Sequence, residues 1–360
     1  MRTHSISLLV TLLFTCAAHA DGFLFNGQSA RALGVMNACI AQADDPSAVV
    51  FNPAGLAFMT KKPAFAFGGT LGGTINGHFR GTAPGIAGGT SSEERTASDA
   101  VPHAYFTTGV GERFAAGIGA DSMFRLRSEW SDPDHYAGRF IATATKVESF
   151  DVTAAAGYQV TPTLGVGAGI VYRTSRIEAT QITGALPTEK ESSAGFNAGI
   201  LYRPFAHWSL ALTHRNAIGL FPAQTNGGVA WRPTQKFVFE IDVNRTAWSR
   251  LHAITLGNTT FPLNLEDTAT LRAGFRHRLS PRTEWHLGYA AERAAQPDET
   301  VGAFMHDAQR STYGAGVEFR GVDVAFSWST NELREIGTNV DGINGNYRRN
   351  GWLIAVTLTH

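Results

Sequence analysis

The chain is written as a series of short stretches in which every second residue is apolar, and the connections between them alternate between tight and long. Near the C-terminus Trp352, Ile354, Val356 and Leu358 alternate with Leu353, Ala355, Thr357 and Thr359. Before them Val322, Val324, Phe326 and Trp328 alternate with Asp323, Ala325, Ser327 and Ser329, and Phe237, Phe239, Ile241 and Val243 do so with Val238, Glu240, Asp242 and Asn244. A period of two puts each set on its own face of a β-strand. One face is bulky and aromatic near the strand ends, and the other mixes Gly, Ser, Thr and charge. A soluble sandwich also alternates in this way, so the gaps must discriminate. Fourteen strands are expected near 63–73, 101–110, 114–124, 142–159, 164–177, 193–202, 208–214, 227–232, 236–244, 268–278, 284–291, 311–319, 322–330 and 351–359. The connections at 111–113, 161–163, 203–207, 233–235, 279–283 and 320–321 are short. Those at 74–100, 125–141, 178–192, 215–226, 245–267, 292–310 and 331–350 are long and rich in Gly, Asn, Asp, Pro and Ser. Tight turns at one end and long loops at the other are the pattern of an all-β transmembrane barrel of the outer-membrane type. An even strand count lets one chain close without an edge, which satisfies every backbone amide in lipid. The short 215–226 gap leaves a twelve-strand count open.

The other features agree with export to that membrane. Arg2, the apolar run Ile6 to Cys16 and Ala18-His19-Ala20 make a signal peptide over 1–20, with cleavage expected after Ala20. No later apolar run reaches ~18 residues, so no transmembrane helix is expected. The remaining cysteine, Cys39, has no partner for an internal disulfide and reads as a small buried residue. No metal or cofactor motif is present. Thirty basic and thirty acidic residues balance, without a basic tract, which argues against nucleic acid.

Residues 21–60 have a different texture. Ser29 to Ala41 is rich in small residues and helix-like, Asp45-Pro46 reads as an N-cap with proline at the first helical position, and Asn52-Pro53-Ala54-Gly55 stops that helix. The apolar content (Phe23, Phe25, Val35, Met36, Ile40, Val49, Val50 and Phe51) argues for packing inside the barrel. The expected organisation is thus a plug over 21–60 and a barrel over 61–360.

Gly22-Phe23, Gln28 to Gly34, Ala43-Asp44-Asp45 and Asn52-Pro53-Ala54-Gly55 resemble the N-terminal hatch of the FadL/TodX-type outer-membrane transporters of long-chain fatty acids and aromatic hydrocarbons. Val101-Pro102, Tyr136-Ala137-Gly138, Val171-Tyr172, Arg176-Ile177-Glu178, Asn197 to Tyr202 and Ala247-Trp248-Ser249 resemble stretches in the same order in that family, so the likeness covers essentially the whole mature chain. The resemblance implies a fourteen-stranded barrel, an N-terminal plug, and a lateral opening where the third strand kinks, here near Met123, Phe124 and Arg125. The chain departs from the family in its shorter outer loops and in ending on Leu358-Thr359-His360 rather than on an aromatic residue read by the barrel-assembly machinery.

A fatty acid joins a long apolar chain to one carboxylate. Burial stabilises each methylene by ~0.8 kcal/mol, so sixteen carbons gain on the order of 10 kcal/mol in an apolar pocket. The resemblance suggests Phe23 as a pocket residue that withdraws, the alternative being an anchor for the plug. The carboxylate needs an inward cation. Arg173 and Arg176 resemble the family's basic stretch, and Arg272 and Arg276 face inward by parity; the alternative for each is a lumen ion pair with Glu240, Asp242 or Glu318. Asn52, Pro53 and Ala54 either fix the turn that joins plug to barrel or touch ligand. The expected function is passive uptake of long-chain fatty acids or similar hydrophobic molecules by a monomer set in outer-membrane lipid and lipopolysaccharide. The alternatives are an aromatic hydrocarbon channel and an adhesin or structural barrel. An enzyme would need a Ser-His pair on the outer face, and His277 and Ser280 lie instead at a periplasmic turn.

Overall fold

The computed structural model describes residues 22–59, 62–84, 90–95 and 98–360; the expected signal peptide lies outside them. The wall strands are β1 (Ala64–Thr82), β2 (Ser98–Val110), β3 (Phe114–Asp121 continued by Arg125–Glu129), β4 (Ala144–Thr161), β5 (Leu164–Gln181), β6 (Glu189–Phe205) and β7 (Trp208–Arg215). They continue as β8 (Gln224–Thr234), β9 (Phe237–Thr246), β10 (Thr268–Ser280), β11 (Thr283–Glu292), β12 (Arg310–Phe319), β13 (Val322–Asn331) and β14 (Asn344–Thr359). Each pairs antiparallel with its neighbour in sequence, and β1 pairs with β14 from Ala66↔Thr359 to Thr82↔Asn344, which closes the ring. The all-β, fourteen-stranded antiparallel barrel expected from the gaps is therefore the fold. β7 and β8 are both present, in register from Trp208↔Trp231 to Arg215↔Gln224, which rules out the twelve-strand count. The structure lengthens several strands at their loop ends. β1 was expected to stop near 73 and runs to Thr82, because its hairpin partners carry the ladder on into the outer loops.

Burial runs opposite to that of a soluble sheet. On β13, Val322, Val324 and Phe326 are exposed, whereas Asp323, Ala325 and Ser327 are buried. Ile170 of β5 is 69% exposed and Arg173, three residues on, is 2% exposed. Such an apolar exterior is stable only against lipid. Aromatic residues cluster toward the short-turn end: Trp208 stacks on Trp231 at 6.0 Å, Trp231 on Phe239 at 5.6 Å, and Phe237 on His277 at 4.3 Å.

The N-terminal segment fills the lumen with two short helices, α1 (Ala30–Gly34) and α2 (Ala48–Phe51), and a 3-10 turn over Pro53–Phe58. The single helix expected over 29–41 is not formed. Ser29 caps α1 by accepting from the Ala32 amide at 3.1 Å, but Met36 and Asn37 then take positive φ. The Asn37 side chain donates to Asn26 and Gln28, both at 3.1 Å, which fixes this reversal. Asp45 also departs from its expected role. Ser47 is the N-cap of α2, and Asp45 accepts from the Ser47 amide at 2.8 Å, one turn earlier. Asn52 starts the 3-10 turn by accepting from Ala54 at 3.1 Å, and it donates to the Ile40 carbonyl at 2.9 Å.

The polar inner face of the wall satisfies the plug backbone. Glu240 accepts from the Ala41 amide at 2.5 Å, and Asp242 accepts from Cys39 and Ile40 at 3.0 and 3.3 Å. Asn197 donates to the Val49 carbonyl at 3.0 Å. Arg31 meets Glu318 at 2.5 Å. Burial, with Glu240 and Asp242 nearby, pushes the Cys39 thiol up, so it stays protonated. Burial opposes the charge on Asp44, but Arg276, Arg31 and Arg232 more than offset this and hold its carboxyl well below the usual range. That contribution is present above about pH 4 and is lost only as pH falls further.

Plug docking also depends on close approach. A Cβ on Gly34 would lie 1.9 Å from the Cδ2 of His286 on β11. Gly34→Val is therefore expected to undock the plug while the barrel still assembles. Its signature is new tryptic cleavage after Arg31 and a several-fold rise in single-channel conductance, read against unchanged heat-modifiable mobility on gels. Native conductance in this variant would mean that the lumen is not sealed by this contact.

Candidate functional site

Among the described residues, the wall ladder fails between β2 and β3. β2 pairs with β3 only from Val110↔Phe114 to Ala104↔Ala120. Above that point β3 breaks at Ser122 and resumes at Arg125–Glu129, and this upper piece pairs with β4 alone. Higher still, Glu94 bridges to Trp130, and the Arg95 amide donates to Glu129 at 2.7 Å. Residues 98–103 therefore face a window in the wall, bounded below by Ala104/Ala120 and above by Glu94/Trp130.

The N-terminus of the plug takes over the unused backbone on the inner side. The Phe25 amide donates to the Met123 carbonyl at 2.9 Å, and the Arg125 amide donates to the Phe23 carbonyl at 2.8 Å. Gln28 donates to the Ser122 carbonyl at 3.0 Å. A net hydrogen bond contributes only ~0.5–1.5 kcal/mol, so this patch is held less firmly than a full ladder. Met123, Phe124 and Arg125, expected at the kink, thus lie at the break itself.

Phe23 sits in an aromatic cage. Its ring meets Trp248 edge-on at 4.7 Å, Phe221 at 6.1 Å and Phe124 at 6.5 Å, and Phe124 stacks on Phe221 at 4.7 Å. Gly22 makes this possible, with φ +58° and a position where a Cβ would be 2.9 Å from Trp248. The guanidinium of Arg173 caps the cage, 4.8 Å from Phe124 and 5.2 Å from Phe221. Beside the cage, toward the window and β12 to β14, is a cavity of about 200 Å³. Its walls include Leu24, Asp99, Arg125, Arg127, Arg310 and Arg349. Leu24 and Phe25 separate it from a smaller void of about 50 Å³ that borders Ile40, Val50 and Arg215.

The expected cations do not converge on one site. Arg173 is inside, bound to Asp151 at 2.7 and 2.6 Å, and Asp151 also accepts from Arg215 at 3.0 Å. Arg176 is three residues further along a strand of period two, so it points away from the lumen and pairs with Glu178. Arg272 and Arg276 face inward but hold the plug. Arg272 donates to the Met36 carbonyl at 2.9 Å, and Arg276 binds Glu284 at 2.6 Å and Asp44 at 2.9 Å. The cations that border the cavity are Arg125, Arg127, Arg310 and Arg349. Of these, Arg125 was expected at the kink rather than as a ligand contact, and Arg310 binds Glu292 at 2.6 Å. His277 accepts from Trp285 at 3.0 Å, and Ser280 donates to Thr283 at 3.1 Å, so the two do not form a nucleophile-base pair.

A closed barrel with an apolar exterior, a lumen plug and a wall window defines an outer-membrane transport barrel. Residues 11–220 match the family described as outer membrane protein transport protein (OMPP1/FadL/TodX), and the chain belongs to that family, whose members are transporters of the bacterial outer membrane rather than enzymes. It is 26% identical to outer membrane protein P1 of Haemophilus influenzae over 186 residues, a match that spans 47% of this chain and 40% of that protein. In fold it is similar to a FadL homologue of Pseudomonas aeruginosa, with a TM-score of 0.80 at 18% identity over 94% of this chain and 99% of that one. The toluene transporter TodX of P. putida gives 0.68 at 12% identity, over 94% and 99%.

The buried cluster behind the cage yields a prediction. Asp151 is the shared partner of two guanidinium groups, so Asp151→Ala leaves two buried cations short of charge. Loss of one partner of a buried pair costs about 3–5 kcal/mol. Urea unfolding of the barrel in lipid vesicles is expected to show a destabilisation of that order, and a change below about 1 kcal/mol would mean that water reaches the cluster.

Proposed function

We propose that the protein takes up hydrophobic molecules passively, receiving them in the Phe23 cage and cavity and releasing them sideways through the window between β2 and β3. The observation that carries this reading is that the plug places its own Phe23 where an apolar ligand would sit, directly beside the break between β2 and β3. Long-chain fatty acids are the favoured substrate class, because the cavity next to the cage is bordered by Arg125, Arg127 and Arg349, and guanidinium groups recognise carboxylates with charge-assisted bonds. A second reading, a monoaromatic hydrocarbon, is supported by the cage itself, which already holds one phenyl ring edge-on.

The cavity volume, about 200 Å³, falls below the ~300–1,000 Å³ of ligand pockets in general. Binding of a long chain therefore requires that Phe23 leave. Withdrawing a buried phenylalanine costs roughly 1.5–3 kcal/mol. Phe23→Ala is expected to bind a fluorescent long-chain fatty acid about ten to one hundred times more tightly than the native barrel in detergent titration. Oleate should displace the probe and toluene should not. Weaker binding in Phe23→Ala would make Phe23 a wall of the site, and displacement by toluene alone would favour the aromatic reading. A native barrel that binds neither would overturn the proposal.

A further inference from the structure

The window between β2 and β3 is crossed by charge where backbone pairing is absent. Asp99 on β2 accepts from Arg127 at 2.6 Å and lies 3.3 Å from Arg125, both on the upper piece of β3. The other charges are accounted for on the β3–β4 side, from β14, or at the upper edge of the window, where Arg95 meets Glu129 at 3.0 Å. Glu148 on β4 holds Arg125 at 2.7 Å and meets Lys146 at 2.8 Å. Glu129 lies 3.5 Å from Arg127. Arg349 on β14 donates to the Arg127 carbonyl and to Thr74, and lies 3.7 Å from Glu94. Among the described residues, Asp99 is the carboxylate that ties β2 to the upper part of β3.

Asp99, Arg125 and Arg127 all border the cavity beside the Phe23 cage. An anionic headgroup in that cavity meets the same two guanidinium groups that Asp99 occupies. We propose that Asp99 is a built-in carboxylate latch, and that the carboxylate of an acidic amphiphile replaces it on Arg125 and Arg127, so that β3 is released from β2 and the ligand opens its own exit. The exchange is balanced in charge, since one carboxylate leaves as another arrives and no proton need move. A neutral chain of equal length carries nothing that competes with Asp99. Selection for acids thus operates at release, with Asp99 as a specificity-determining residue. The inference rests on the reading of this barrel as a conduit for hydrophobic compounds.

The test uses the full mature barrel in liposomes and compares protein-dependent transfer of a pyrene-labelled fatty acid with that of the fatty alcohol of the same chain length. The native barrel is expected to favour the acid by at least about tenfold. Asp99→Asn keeps the shape and removes the charge; it is expected to pass the alcohol as fast as the acid, and Asp99→Glu to restore discrimination. Heat-modifiable mobility on gels verifies that each variant is folded. If the native barrel passes the acid and Asp99→Asn keeps the same ratio, the latch is wrong and the conduit reading stands. A native ratio near one also overturns the latch. If the native barrel passes neither probe, the conduit reading falls and the latch falls with it.

Discussion

Closure of the backbone ladder is the constraint on which everything else depends. In lipid no water is available to satisfy an open strand edge, so the wall must pair all the way round. The pairing of β1 with β14 provides this, and it runs well beyond the apolar band into the outer hairpins. Once the ring is closed, period two sends apolar side chains to lipid and polar ones to the lumen. The lumen then carries buried charge that needs partners, and the plug provides them. Glu240 and Asp242 accept from its amides, Arg272 donates to its carbonyl at Met36, and Arg31 and Arg276 form its ion pairs. Plug and wall are therefore complementary rather than merely nested.

Against that constraint the window is an exception with a local remedy. The edge left open by the break in β3 is covered from inside by the N-terminal end of the plug, through Phe23 and Phe25, and is crossed by Asp99. On the proposed reading this remedy is reversible, because a partly solvated ion pair holds weakly. The same contacts that seal the wall also place Phe23 in the aromatic cage. On the proposed reading, emptying the cage and loosening the window are one event, and ligand arrival opens the wall without any energy source.

Much of this was legible in the sequence, and the limits are physical. Alternation and gap length gave the strands, since each is a local property of a few residues. Parity gave the inward direction of Arg272 and Arg276, the resemblance pointed to Arg173 and Arg176, and an odd spacing from the buried Arg173 sends Arg176 outward. The resemblance pointed to Met123, Phe124 and Arg125 at the kink, while neither glycine nor proline stands at 122–124 to announce a break. What sequence alone could not give is which inward arginine meets which partner. Arg276 meets Asp44, 232 positions away, and Arg349 meets Thr74, 275 positions away. The reversal after α1 was hidden for the same reason: Gly34 is required by His286, a residue on a distant strand.

On the proposed reading, a hydrophobic ligand displaces Phe23 and leaves through the wall. A crystal structure of the barrel soaked with a fatty acid brominated near its carboxylate tests it most directly. Anomalous bromine signal is expected in the cavity near Arg125, Arg127 and Arg349, with Phe23 withdrawn from Trp248. Bromine on the barrel axis beneath an undisturbed plug, with Phe23 still in its cage, would contradict it.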